Sequence, residues 1–330
     1  MSVHWNKYLK YQINYSDIYN VLNKGGYTDI IIYIDIAGIA KGFYSTGTIK
    51  FEVAQYMQNP DQLPTVFLAE LKEYLQTLYH KFQQYNPKFV MFHDGGVCKQ
   101  NCDIDSTYKA DRRAATSSQR FLVEEETMRV FKLLKSYYYD RVIEVFNIPG
   151  SSYAIDLEDY ESDLIPHFVR SKGLLNSDSA TTLSLILALD KDLLQTCRYD
   201  NVRMAASIYH KAKKRLDMNL LDNENGLEYI HPKFLRGILN SGHLPIVLSM
   251  MGDKADHIKG ISQCGPARAI KMATLYFKDT YEFNNETVFP SELIQHRNML
   301  IRNFKMISFD EQIKRLPSNI TNKIIEILSH

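Results

Sequence analysis

Three apolar runs in this chain each end in an aspartate. Asp29-Ile-Ile-Ile-Tyr-Ile-Asp35 is short, continuous and β-branched; Lys88–His93 (KFVMFH) delivers Asp94; Thr181–Leu189 (TTLSLILAL) delivers Asp190, followed by Lys191 and Asp192. Runs without polar alternation suit strands covered on both faces, the situation of a parallel sheet flanked by helices. In such sheets ligands bind outside the carboxyl ends of the strands, so three carboxylates converge on one place. Left to themselves they repel, and some are pushed to higher pKa. A hard cation removes the conflict, and all-oxygen ligation suits Mg²⁺ or Mn²⁺. A lone aspartate at a strand end is ordinarily an N-cap or a turn residue; three acting together are poorly explained that way.

The rest of the pattern predicts an α/β fold with a mostly parallel central sheet. Between Thr65 and Tyr85 the apolar residues Phe67, Leu68, Leu71, Leu75, Leu78, Tyr79 and Phe82 fall at helical spacing, and Asn86-Pro87 stops the helix. Strand, helix, strand is a right-handed crossover unit. Val142–Ile148 reads as a further strand, closed by Pro149-Gly150. Pro232, Pro245 and Pro266 are placed as first-turn prolines, Pro245 opening a helix that stops at Gly252. The last forty residues read as helical, with Pro290 and Pro317 as breaks. The organisation expected is a polar, Tyr-rich N-terminal extension (1–28), an α/β core (29–200) and a helical C-terminal region (201–330).

A net charge of +1 excludes a chain that is polybasic throughout, so any nucleic-acid surface must come from local segregation. Such segregation exists: from Lys191 to Arg215 there are seven Lys or Arg against two Asp. Four cysteines, with no second pair at zinc spacing near Cys98 and Cys102, argue for free thiols in a reducing cytoplasm. No apolar run approaches the ~20 residues of a membrane span, and the first ten residues have no signal-peptide core.

Two more acidic groups accompany the strand ends. Ser151–Asp163 holds Asp156, Glu158, Asp159, Glu161 and Asp163 without a base. Asp156 to Asp159 read as a negatively charged helix start, and Glu161 and Asp163 as the pair drawn inward. Asp253 and Asp256 in Gly252-Asp-Lys-Ala-Asp256 are three residues apart, which keeps both on one side of a helical turn.

At these residues the chain resembles the 5′ nuclease superfamily of flap endonucleases and phage 5′-exonuclease/RNase H proteins. Gly252-Asp-Lys-Ala-Asp256-His-Ile-Lys-Gly260-Ile-Ser-Gln-Cys-Gly265-Pro-Ala-Arg-Ala269 resembles the family's GDxxDNIPGVxGIGPKTA, its helix–three-turn–helix element. Ala188-Leu-Asp190-Lys-Asp192-Leu-Leu-Gln195 resembles SxDKDxxQL, Tyr108-Lys109-Ala-Asp-Arg112 resembles YKxxR, and Tyr160-Glu161-Ser-Asp163 resembles YEADD. Ile34-Asp35 and Phe92-His-Asp94 fall in the required order. Departures are Leu164 for the second aspartate of EADD, His257 for Asn, Lys259 for Pro, Gln263 for the first Gly of the hairpin, and Ala267 for Lys, with Arg268 beside it.

The resemblance implies a PIN-like 5′-nuclease fold with a helical arch at about 108–141 and the helix–three-turn–helix at about 245–275. It implies two Mg²⁺ ions, with Mn²⁺ as substitute. Asp35, Asp94, Glu161, Asp163 and Asp190 would surround the first, and Asp192, Asp253 and Asp256 the second. Lys109 and Arg112 would lie near the scissile phosphate, with Asp190 at the catalytic centre. Lys132 and Lys135 in the arch would hold a single-stranded 5′ end, and Tyr137 to Tyr139 either stack on it or belong to the core. Gly260, Gln263, Gly265, Arg268 and Lys271 would contact duplex backbone, in a turn where potassium often sits in the family. The basic run Lys211–Arg215 would add to that hold.

The activity implied is a structure-specific 5′–3′ exonuclease and flap endonuclease, removing RNA primers or 5′ flaps in replication or repair. Its substrates are flap DNA or an RNA–DNA primer duplex, and its protein partner a single-strand-binding protein or sliding clamp. A monomer encoded by a phage and working in the bacterial host cytoplasm fits a nuclease without an attached polymerase. Two alternatives stay open: a PIN-type ribonuclease, and a DNA-junction binder with a weakened site, for which Leu164 is the support.

Overall fold

A computed structural model describes residues 15–36, 65–95, 98–110, 152–188, 190–210, 215–230 and 238–329. Its centre is a six-stranded sheet of β1 (Asp29–Asp35), β2 (Lys88–Gly95), β3 (Ser152–Glu158), β4 (Thr182–Leu187), β5 (Val202–His210) and β6 (Arg215–Leu221), in the order β3-β2-β1-β4-β5-β6. β1 to β5 run parallel, and β6 returns antiparallel to β5. The helices are α1 (Tyr15–Gly25), α2 (Thr65–Phe82), α3 (Lys99–Ile104), α4 (Ile165–Ser171), α5 (Leu244–Met251), α6 (Pro266–Tyr276), α7 (Arg297–Ile307), α8 (Phe309–Lys314) and α9 (Ser318–Ser329).

The unbroken apolar run of β1 is explained by its place in the middle of the sheet. Successive side chains point to opposite faces. Ile30, Ile32 and Ile34 join Ile18 and Leu22 of α1 and Leu75, Leu78 and Phe82 of α2 in one core. Ile31 and Tyr33 join Phe168 and Val169 of α4, Ile246 and Val247 of α5 and Phe304 of α7 in the other. Both faces are dry along Ile30–Ile34, so polar residues other than Tyr33 are confined to the half-buried ends, Asp29 and Asp35. The result is a mostly parallel sheet with helices on both sides, as the sequence predicts.

Three elements differ from the sequence reading. Within the stretch read as a polar extension, α1 packs on the sheet through Ile18 and Leu22, four residues apart, and Tyr19 sits 5.7 Å from the ring of Phe82. Two apolar residues among tyrosines and polar groups make a weak periodic signal. The stretch read as an acidic helix start is the strand β3, paired with β2. Its buried Tyr153, Ile155 and Leu157 recur every second residue, a strand period obscured by the apolar Ala154, by Asp156 between Ile155 and Leu157, and by the acids that follow. Residues 202–210 and 215–221, assigned to a helical C-terminal region, form β5 and β6 and extend the sheet.

The helices expected after Pro245 and Pro266 are present, each with proline in its first turn. Arg112, Lys132, Lys135, Tyr137 to Tyr139 and the rest of the arch from 111 onward, the run Val142–Ile148, Lys211 to Lys214 and Pro232 lie outside the described residues. No helix among the described residues is long and apolar enough to cross a membrane. All four cysteines are free thiols, and Cys98, Cys197 and Cys264 are buried.

Candidate active site

The carboxyl ends of β1 to β4 lie along one edge of the sheet, and each leads into an acidic residue. Asp35 closes β1. Asp94 lies in β2, in register with Leu157 of β3. Glu161 precedes a short 3-10 turn, Ser162–Leu164, that contains Asp163. Beyond β4, Asp190 caps the 3-10 helix Lys191–Arg198: its Oδ1 accepts the backbone N–H of Asp192 at 2.9 Å. An aspartate suits this place because a short acceptor on an extended residue satisfies an N–H left over at a helix start. The cap also fixes the direction in which Asp192 leaves the backbone.

Asp253 and Asp256 arrive from the C-terminal side. Asp253 ends β7 (Gly252–Asp253), which pairs antiparallel with β8 (Ile258–Lys259), and Asp256 stands in the turn between them. The three-residue step therefore works through a hairpin turn, not the helical turn expected from spacing. Asp253 Oδ1 tightens that turn by accepting the N–H of Ala255 at 2.8 Å. The hairpin demands glycine at two places. Gly252 has φ +73°, and a Cβ on Gly260 would lie 2.3 Å from the backbone carbon of Met251.

Carboxylate oxygens of Asp192, Asp253 and Asp256 come within 4.8 Å of one another, the one such group of three among the described residues. These are the three that the resemblance assigns to a second ion. Asp35 and Asp163 stand on the same edge of the sheet without joining that group. Two lysines enter the acidic cluster. The Lys191 ammonium lies 2.5 Å from Asp253 Oδ2 and 3.3 Å from Asp192 Oδ1. Lys109 Nζ lies 2.7 Å from Glu161 Oε1 and 3.9 Å from Asp256 Oδ1, in a pair whose side chains are 7% and 8% exposed for Lys109 and Glu161. The Lys109 backbone is left-handed (φ 49°), and its N–H donates to the carbonyl of Asp256 at 3.1 Å. Tyr108 completes the arrangement, its hydroxyl donating to Glu161 Oε1 at 2.7 Å and standing 3.4 Å from Asp256 Oδ2.

Electrostatics follow from this crowding. Burial, then Asp190, Asp253 and Asp256, push the Asp192 carboxyl up to about 7, with Lys191 opposing. Against the cost of burial, Asp192, Asp253 and Asp190 hold the Lys191 ammonium well above the usual lysine range. Burial and the neighbouring Glu161 raise the Tyr108 phenol far above its usual range, so it stays a donor. Glu161, Asp190, Asp192, Asp253 and Asp256 are five acids against the ammonium groups of Lys109 and Lys191. The buried Asp192 Oδ1 faces the Lys191 ammonium as an ion pair at 3.3 Å, without the geometry of a hydrogen bond. Converging carboxylate oxygens with negative charge left over fit a hard divalent cation.

The position where the motif would carry a further aspartate is different in kind. Leu164 is 1% exposed and packs in the core with Ile165, Phe168 and Val169. Its side chain is part of the packing beneath the site. Sequence reasoning quoted Lys191 in its motif without giving it a role, and passed over Tyr108 as a hydrogen-bonding partner. The signal for Lys191 was available, since a lysine between two aspartates is an ion pair in waiting.

The segment from Gly260 to Lys271 forms the turn and helix start expected of it. Gln263 stands at φ 57°, where the motif has glycine. Gly265 caps α6 with its Cβ position open. Arg268 and Lys271, one turn apart on α6, are exposed.

No family profile matches the chain, and no curated protein matches it in sequence. Solved structures do match. A bacteriophage T5 protein co-crystallised with metal ions superposes with a TM-score of 0.59 at 13% identity, covering 91% of this chain and 98% of that one. The T5 flap endonuclease in a pseudo-enzyme–product complex with DNA and metal ions gives 0.58 at 14% identity, covering 91% and 100%. T5 5′-exonuclease with bound zinc gives 0.53 at 15% identity, covering 91% and 99%. The chain therefore has the 5′-nuclease fold of these structures, over nearly its whole length.

Proposed function

We propose that this protein is a divalent-metal-dependent 5′ nuclease acting on branched DNA, as a 5′–3′ exonuclease and flap endonuclease. The observation that carries the reading is the convergence of Asp192, Asp253 and Asp256 at the carboxyl edge of a 5′-nuclease sheet, within 4.8 Å of one another. Asp35, Asp94, Glu161, Asp163 and Asp190 stand on the same edge or in the loops that leave it, as candidate holders of a second ion. Mg²⁺ suits the donor set, with Mn²⁺ as substitute. Bound divalent ions supply charge to a phosphodiester and an activated water for its in-line hydrolysis.

The chain's own residues prepare that chemistry. Asp190 fixes the backbone of Asp192. Tyr108 and Lys109 together hold Glu161 and Asp256 in one orientation, so the carboxylates need not reorganise when the substrate arrives. Lys109 is the cation placed to answer charge developing on the phosphate, with Arg112 as its companion. The N–H groups at the start of α6, after Gly260, Gln263 and Gly265, suit a DNA phosphate. Arg268 and Lys271 extend that contact along the duplex backbone, which makes recognition structural and salt-dependent. Lys132 and Lys135 are candidates for the 5′ strand. RNA primers and 5′ flaps are the substrate class, and a phage replisome the setting.

Leu164 lends no support to the reading as an inert junction binder, because its side chain belongs to the core. The test is cleavage of a 5′-labelled flap with and without Mg²⁺. Asp190→Asn keeps the cap, since asparagine caps as well as aspartate, and removes the charge. It is expected to lower cleavage by roughly 10²–10³-fold, a few kcal/mol of transition-state stabilisation, while DNA binding is retained. Undiminished cleavage by this variant overturns the assignment.

A further inference from the structure

Lys191 has a place that the nuclease chemistry described above does not use. Its side chain reaches from the first residue of the 3-10 helix after β4 across to the hairpin, and its ammonium rests between Asp253 Oδ2 (2.5 Å) and Asp192 Oδ1 (3.3 Å). Those are two of the three carboxylates that converge within 4.8 Å. The side chain is about one-third exposed, while Asp253 is nearly covered. The ammonium is thus inside the cluster, and four methylenes connect it to a backbone on the rim.

We propose that Lys191 is a built-in counter-ion of the Asp192–Asp253–Asp256 subsite, and that a divalent cation must displace it to bind there. The reasoning is electrostatic. Three carboxylates this close are unstable without compensating charge, and Lys191 supplies one positive charge in the metal-free protein. A divalent ion needs the same oxygens, and an ammonium beside them both occupies acceptor positions and repels the ion. At 4 Å and the effective dielectric of a protein surface, a unit charge is enough to change the subsite's affinity by more than about tenfold. The partly exposed stem lets the ammonium swing outward when the ion enters. The subsite is therefore held together but weak in the free protein, and its ion binds well only where another anion draws Lys191 away. A DNA phosphate arriving at the cluster is such an anion. This deepens the metal-nuclease reading and rests on it.

The experiment measures Mn²⁺ binding to the full chain without DNA, by titration calorimetry and by electron paramagnetic resonance of free Mn²⁺. The proteins compared are the wild type, Lys191→Met, Lys191→Arg and Asp192→Asn. Lys191→Met keeps length and removes charge, and is expected to bind one Mn²⁺ at least about tenfold more tightly. Lys191→Arg should stay near the wild type, and Asp192→Asn should lose the site. Thermal melting gives a second readout. In EDTA Lys191→Met should melt below the wild type, because its carboxylates repel unchecked, and Mn²⁺ should raise its Tm by more than it raises that of the wild type. Equal or weaker Mn²⁺ affinity in Lys191→Met, with Asp192→Asn still abolishing the site, overturns the role of Lys191 and leaves the metal reading standing. Absence of any Mn²⁺ site sensitive to Asp192→Asn overturns both.

Discussion

Lys109 carries its charge into the interior because Glu161 and Asp256 meet it there, and the Tyr108 hydroxyl donates to the same Glu161 oxygen and faces the other oxygen of Asp256. A buried charge survives only when paired and hydrogen-bonded, so each of these side chains is the condition for the others. Leu164, only three residues from Glu161, obeys the opposite rule and packs among apolar neighbours. Leu164→Asp, suggested by the family motif as a way to restore an acid, is therefore expected to lose packing and bury an unpaired charge. A loss on the order of 3–5 kcal/mol in urea denaturation is expected, with no gain in flap cleavage. A variant as stable as the wild type and faster on flaps would contradict this placement. The motif alignment could not reveal it: sequence says which residue stands at a position, while burial at 1% exposure comes from how the turn after β3 sits on α4. Strand-end aspartates were legible because continuous apolar runs have one structural meaning. The Tyr108 hydroxyl was not, since its acidic partners lie 53 and 148 positions away and no local pattern names them; Lys191, flanked by two aspartates, was there to be read.

At the scale of elements, the β7–β8 hairpin determines whether Asp253 and Asp256 meet. Its two strands are two residues each, too short to hold by ladder bonds alone. Asn303 of α7 supplies the rest, its Nδ2 donating to the carbonyls of Ser249 at 3.0 Å and Lys259 at 2.8 Å. That one amide joins the end of α5 to β8, and so spans the hairpin from outside. The close backbone approach at Gly260 leaves no room for a methyl group. Gly260→Ala is expected to cost on the order of 2–4 kcal/mol by the strain it imposes and to weaken Mn²⁺ binding by separating the two aspartates. Gly265→Ala is the control: φ is −80° and the added carbon meets nothing within 4 Å, so the loss should stay under about 1 kcal/mol. If both variants bind Mn²⁺ as the wild type does, the hairpin is not what brings the acids together. The glycines were visible in the motif. The contribution of Asn303 was not, because it joins residues 54 and 44 positions away and no local pattern reports such a contact. The strand β3 was missed for a related reason, its period of two being crossed by charges that suggested a helix start.

At the scale of the molecule, the acidic edge depends on how the C-terminal helices are tied to the sheet. Gln195, on the 3-10 helix beyond β4, donates to the carbonyl of Ile307 at 3.2 Å and accepts the N–H of Phe309 at 2.7 Å. Nearby, Asp310 of α8 takes a two-pronged bond from Arg198 at 2.5 and 3.0 Å and faces His167 Nε2 of α4 at 3.1 Å. The rings of Tyr199 and Phe309 close over His167, and its Nδ1 makes no hydrogen bond. Burial holds the imidazole below its usual pKa despite the bond to Asp310, with Arg198 acting in the same direction as burial. The Asp310 carboxyl is held well below the usual range: burial opposes this, and the contacts from His167 and Arg198 outweigh it. The sign for stability follows. In the unfolded chain His167 takes up a proton near pH 6.5, while in the folded protein it does so only at lower pH. The unfolded state therefore binds more protons across that interval, and stability is complete above pH 6.5 and declines as pH falls toward the folded value. The decline attributable to this one group has a slope of at most about 1.4 kcal/mol per pH unit. Replacing it with His167→Gln removes the titration while keeping a donor for Asp310. Urea denaturation at pH 7.5, 6.5 and 5.5 should show the wild type losing stability relative to the variant at each step. Parallel curves for the two proteins would mean that His167 titrates alike folded and unfolded, and that the junction between α4 and α8 is open to water.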